Sequence, residues 1–136
     1  MNKKSFVVAV DFDGTVVDHE FPRVGKVIEE AFYWLKKWDT YGTKIILWTM
    51  RSDRQDGKYL QDAVNVYDQR GINLYGINEN PSQHTWTSSP KAHADVFIDD
   101  MAFGCPLIQK SDFKRKCVDW TIVGPGVEHM IQQRFL

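Results

Sequence analysis

"VVAVDFDGTVVDHE", Val7 to Glu20, decides how the chain folds. Its first four residues are uninterruptedly apolar, the pattern of a strand buried on both faces. The run goes straight into Asp11 and Asp13, one residue apart, and then Gly14 and Thr15. Two carboxylates that close repel each other, so some other requirement must place them there.

Elements alternate outward from this stretch. Val24 to Trp38 carries apolar residues at 24, 27, 28, 31, 32, 35 and 38, a helical period that Gly42 ends. "TKIILW" (Thr43–Trp48) reads as a second buried strand. Gly57 to Arg70 reads as a helix with Leu60, Ala63, Val64 and Tyr67 on one stripe, and "INLYGI" (Ile72–Ile77) as a third strand. After the polar loop "NENPSQHTWTSSP" comes "ADVFIDD" (Ala94–Asp100), a fourth strand that again ends in paired acids. In the tail, Val118–Val123 reads either as a strand or as a helix start, and Gly126–Arg134 as a short helix. Alternating strands and helices with doubly buried strands imply an α/β fold, a parallel sheet covered by helices. The length fits one domain, residues 1–136.

Net charge is −1, which argues against nucleic-acid binding by bulk electrostatics. Lys3 and Lys4 precede an apolar run, but Asp11 cuts it short and no small-residue cleavage site follows, so it does not read as a secretory signal. No apolar stretch is long enough for a membrane span. Cys105 and Cys117 make no disulfide framework and lack metal-ligand spacing, and His19, His93 and His129 show no ligand spacing. A cytoplasmic setting is expected.

In open parallel sheets, ligands bind outside the carboxyl ends of the strands. Asp11, Thr49, Asp99 and Asp100 all fall at such ends and should converge. Asp11 and Asp13 can bind a metal, catalyse, or do both. Four acids together are costly without a cation, and a hard ion such as Mg²⁺, which prefers oxygen, resolves the repulsion. Thr49 offers a hydroxyl and a backbone N–H to a phosphate oxygen, Lys91 a positive charge, and Gly14 a sharp turn that lets backbone approach a ligand.

These residues carry a resemblance. "DFDGTVV" (Asp11–Val17), "IILWT" (Ile45–Thr49), Lys91 and "VFIDD" (Val96–Asp100) stand in the order of the four motifs of the haloacid dehalogenase-like (HAD) phosphohydrolases. From about Ser5 to Asp100 the chain resembles that superfamily. The resemblance implies a Rossmann-like three-layer sandwich around a parallel sheet, and Mg²⁺-dependent hydrolysis of phosphate monoesters. It assigns Asp11 as the nucleophile that forms an aspartyl-phosphate. Mg²⁺ is held by Asp11, by the backbone carbonyl of Asp13 and by Asp99, with Asp100 ordering the metal's water shell. Asp13 protonates the leaving alkoxide and then activates water, and so should hold a proton near neutral pH. Thr49 and Lys91 bind the phosphate.

Many HAD enzymes carry a cap domain. Asp18–Arg23 leaves room only for a small flap, and Ser52–Pro90 is too short for a folded cap, so the chain reads as capless. An open site implies a large phosphorylated substrate, or an oligomer whose neighbour supplies the lid. Specificity then falls to the rim: Glu20 and Arg23 in the flap, Arg51 and Arg54 after Thr49, and His84 and Trp86 in the polar loop. The expected partner is a phosphorylated small molecule or macromolecule, without membrane and without an indicated nucleic acid. The competing readings are a receiver-like signalling domain, a phosphotransferase and a non-hydrolytic HAD fold used for binding.

Overall fold

The computed structural model describes residues 5–135. In chain order the elements are β1 (Val7–Val10), α1 (Glu29–Asp39), β2 (Lys44–Leu47), β3 (Asp53–Arg54), β4 (Gly57–Lys58), α2 (Tyr59–Gln69), β5 (Gly76–Ile77), β6 (Val96–Ile98), β7 (Leu107–Ile108), β8 (Cys117–Val118) and α3 (Trp120–Phe135). Four strands form one sheet in the order β5-β2-β1-β6, and every pairing in it is parallel. Two antiparallel hairpins, β3–β4 and β7–β8, stand outside it.

Alternation along β1 divides the core. Val8 and Val10, with Ile45, Leu47 and Ile98, face a cluster fed by Phe32, Leu35 and Trp38 of α1, Ala63 and Tyr67 of α2, and Trp120 and Ile131 of α3. Val7, Ala9 and Ile46 point to the other face and pack under Trp48, Tyr75 and Ala94. The connection from β5 to β6 runs over that second face with one 3₁₀ turn, Gln83–Thr85. The Rossmann-like sandwich is thus present, its third layer built from loop.

Several element boundaries differ from the sequence reading. Residues 24–28 are extended, because Val27 bridges Val17 and the Ile28 N–H donates to the Val16 carbonyl. This stretch runs beside the first loop, and α1 starts only at Glu29. The third and fourth strands shorten to two and three residues. The tail is a helix from Trp120 onward. Asp119 caps it, its carboxylate accepting the Thr121 N–H at 3.1 Å. Pro125 lies inside α3 and costs about 3 kcal/mol. Burial of Trp120, Val123, Val127 and Ile131, each contributing about 1.5–3 kcal/mol, outweighs it.

No inserted domain follows β1 or β2: residues 18–28 are a short loop and 53–58 a two-stranded hairpin. Cys105 and Cys117 are free thiols. Among the described residues, no helix is long and apolar enough to cross a membrane.

Candidate active site

The loop after β1 is fastened from four sides. The Asp11 N–H donates to the Ile98 carbonyl at 2.9 Å, extending the β1–β6 pairing. The Thr15 and Val16 N–H groups turn back onto the Phe12 carbonyl. The Val118 N–H reaches the Gly14 carbonyl at 3.1 Å, and the Trp120 indole N–H reaches the Thr15 carbonyl at 2.7 Å. Gly14 has φ +85°, in the left-handed region, and a Cβ there would collide with the His19 ring and the Asp100 carboxylate. The chain can turn so tightly only because residue 14 has no side chain.

Asp11, Asp99 and Asp100 meet at the carboxyl ends of β1 and β6. One ligand oxygen from each lies within 4.8 Å of the others. The Thr15 hydroxyl, fully buried, donates to Asp11 Oδ2 at 2.8 Å and accepts the Asp100 N–H at 3.2 Å. His19 Nε2 lies 2.8 Å from Asp100 Oδ2. The other oxygen, Asp100 Oδ1, is buried and receives no N–H or O–H donor among the described residues. A proton shared with the neighbouring Asp11 carboxyl, an ordered water or a cation would satisfy it. Burial first, then the Asp100 carboxyl and the charge on Asp99, push Asp11 up to about 8, against the pull of the Thr15 hydroxyl. Burial raises Asp99 as well. Three hard oxygen ligands with one buried oxygen unsatisfied fit a metal ion. A bound cation would favour the ionised form of all three acids.

Asp13 is held differently. Arg51 Nε donates to Asp13 Oδ2 and Nη2 to Asp13 Oδ1, both at 2.8 Å, a two-point fork. Both carboxylate oxygens are engaged as acceptors. Asp13 thus has a cationic partner, whereas Asp11 lies among other acids.

A cleft of about 370 Å³ opens beside the acids, lined by Asp11, Trp48, Thr49, Met50, Asn78 and Asp99. Thr49 is thus brought to Asp11. Its backbone N–H, however, already donates to Asn78 Oδ1 at 2.8 Å, and its hydroxyl oxygen accepts the Arg51 N–H at 3.1 Å. The hydroxyl hydrogen is what remains for a ligand. Asn78 sits at φ 55°, just past β5, a conformation asparagine tolerates better than most residues.

A solved structure of a conserved protein from Bacteroides thetaiotaomicron is 32% identical to this chain, with a TM-score of 0.72 over 93% of each chain. The two proteins belong to one family. No protein-family model matches the chain, and no curated protein does. The likeness runs over nearly the whole chain rather than a single motif.

Other expected residues lie elsewhere. Lys91 is exposed and lines a neighbouring groove with Trp86, His93 and Phe97. Phe97 meets Trp48 edge-on at 5.9 Å, so that ring pair stands between the groove and the cleft. Arg51 is not a rim residue: it is 3% exposed. Arg23 is exposed and gives its carbonyl to Arg51, and Glu20 pairs with Lys114. Arg54 pairs with Asp56 on the exposed hairpin. His84 and Trp86 lie in the connection between β5 and β6, contacting Pro81 and His93, and do not line the cleft. Thr15, His19, Asn78 and Trp120 serve the site without being singled out in the sequence. Thr15 alone had a signal, its place inside "DFDGT".

Proposed function

We propose that the chain is a Mg²⁺-dependent phosphate monoester hydrolase of the HAD superfamily, acting through Asp11. The observation that carries this reading is the trio Asp11, Asp99 and Asp100 with the unsatisfied Asp100 Oδ1, set beside the Thr49 cleft. Asp11, Asp99 and the Asp13 backbone carbonyl would hold the ion, with Asp100 as its outer support. When bound, Mg²⁺ neutralises the cluster and draws charge off the phosphate oxygens.

Asp11, ionised, attacks phosphorus from the floor of the cleft, and the ester oxygen leaves with a proton from Asp13. Asp13 then takes a proton from the water that opens the Asp11 acyl phosphate. The Thr49 hydroxyl hydrogen orients the phosphate. Lys91 is assigned on sequence pattern, since it borders the adjoining groove. The protein is read as cytoplasmic. An open cleft favours a phosphorylated group borne on a large molecule, or a lid from a second copy. The test is release of phosphate from a panel of sugar, nucleotide, peptide and aryl phosphates with Mg²⁺. Phosphate release that Asp11→Asn abolishes supports the reading. No release from any ester by the wild-type protein overturns it in favour of a binding role.

A further inference from the structure

Arg51 is the most completely satisfied charged side chain in the molecule's site region. A guanidinium has five N–H donors. Here Nε and Nη2 hold Asp13, Nη2 also reaches the Arg23 carbonyl at 2.9 Å, and Nη1 reaches the Pro22 and Tyr59 carbonyls at 3.3 and 3.2 Å. Every donor has an acceptor. The planar group packs against two rings, with its carbon 5.0 Å from the Phe12 centroid and 5.1 Å from that of Phe21. Phe21 is a flap residue, 57% exposed, and this contact gives it a reason to be there.

The five acceptors come from three places: the catalytic loop, the flap at residues 22–23, and the first residue of α2. We propose that Arg51 is a positioning residue that binds these three segments into one unit and acts on the reaction through Asp13. The Arg51 side chain is 1% exposed and that of Asp13 is 19%, so the fork grips Asp13 from the buried side and leaves it open on the other. The catalytic half of this proposal rests on the phosphatase reading. When Asp13 hands its proton to the leaving oxygen, the O–H bond of the acid breaks and a carboxylate forms. The fork receives that carboxylate in fixed orientation, ready to accept a proton from water in the second step. Lysine cannot replace it, because an ammonium offers three donors from one point and no flat face.

The test pairs kinetics with a measurement that needs no turnover. Arg51→Lys should lower kcat for an alkyl phosphate by about 10²-fold, with KM little changed, and lower kcat for an aryl phosphate much less. In an Asp13→Asn background the same substitution should add almost nothing to that selectivity. Equal losses on both esters, or a full additive loss in the double variant, would overturn the proposal. Should Arg51→Lys not fold, Phe21→Ala, an exposed change on one face of the guanidinium, should produce the alkyl-selective loss in weaker form; an unselective loss counts against it. Nitrogen-15 NMR of the wild-type protein should show an Arg51 Nε–H that exchanges slowly with water, and exchange faster by roughly tenfold or more in Asp13→Asn. A rapidly exchanging Arg51 Nε–H in the wild type sinks the clamp itself. If the wild-type protein turns over no ester, the phosphatase reading fails while the NMR result still decides the clamp.

Discussion

Asp11 and Asp13 stand one residue apart on one loop, and the fold treats them in opposite ways. Asp13 has its own cation, a buried arginine whose fork matches its two oxygens. Asp11 has a threonine hydroxyl and two more acids, and burial drives it up to about 8. The one basic side chain hydrogen-bonded to that trio among the described residues is His19, which reaches Asp100. The chain thus completes the charge balance around one carboxylate and leaves the other for something supplied from outside. Asp100 Oδ1, buried and without a protein donor, belongs to the side of the pair that lacks a counter-charge.

The contrast is broken most completely at Asp11. Asp11→Asn should lose all detectable phosphate release, measured with alkyl and aryl esters and Mg²⁺. Its melting temperature without metal near neutral pH should be no lower than wild type, because folding no longer has to hold a buried acid in a protonation state it would not keep in water. Retained turnover in a clean preparation would remove Asp11 as nucleophile. Asp13→Asn should cost about 10²–10⁴-fold with alkyl esters and less with aryl esters, whose leaving group needs little protonation. It should also destabilise the fold, because Arg51 then loses a charged partner while staying buried, a cost read by urea unfolding.

Gly14→Ala attacks the turn that brings both acids into place. Strain in the left-handed region and the collision with His19 and Asp100 should together cost about 2 kcal/mol or more in urea unfolding. A neutral result would mean that the loop after β1 is looser than its hydrogen bonds imply. Titration sharpens the contrast next. The folded value of Asp11, about 8, lies above its ordinary 3.8, so the folded state binds the proton more tightly. This contribution to stability is whole below the ordinary value and is lost as pH rises to about 8. Metal-free protein should therefore show a fall in melting temperature across that window that saturating Mg²⁺ suppresses. Identical pH slopes with and without Mg²⁺ would argue that no ion binds the trio. The smallest effect belongs to the flap's outer ion pair. Lys114→Ala removes the partner of Glu20, and with Lys114 60% exposed the loss should be under about 1 kcal/mol.

How much of this was legible beforehand depends on the range over which each feature is determined. Strand β1 and its two acids are local: uninterrupted apolar residues, then Asp11, Asp13 and Gly14, read in one window. The parallel sheet follows from alternation, and the meeting of Asp11, Thr49 and Asp99 follows from the rule that parallel strands present their carboxyl ends on one edge. Arg51, by contrast, looked like a rim residue, since an arginine two residues past a strand is usually solvated. Only the return of the flap and the start of α2 around it bury that side chain. His19 has no ligand spacing, and it reaches Asp100 because the turn at Gly14 folds the chain back upon β6. Lys91 stands where the resemblance of the motifs asks for a lysine, yet it lines a neighbouring groove with Phe97, whose ring meets Trp48 of the cleft. Periodicity and charge order along the chain determined the sheet, its acidic edge and the place of the site. Tertiary structure alone decided which acid received a counter-charge, because that depends on which distant segments enclose each carboxylate, and no local pattern encodes their meeting.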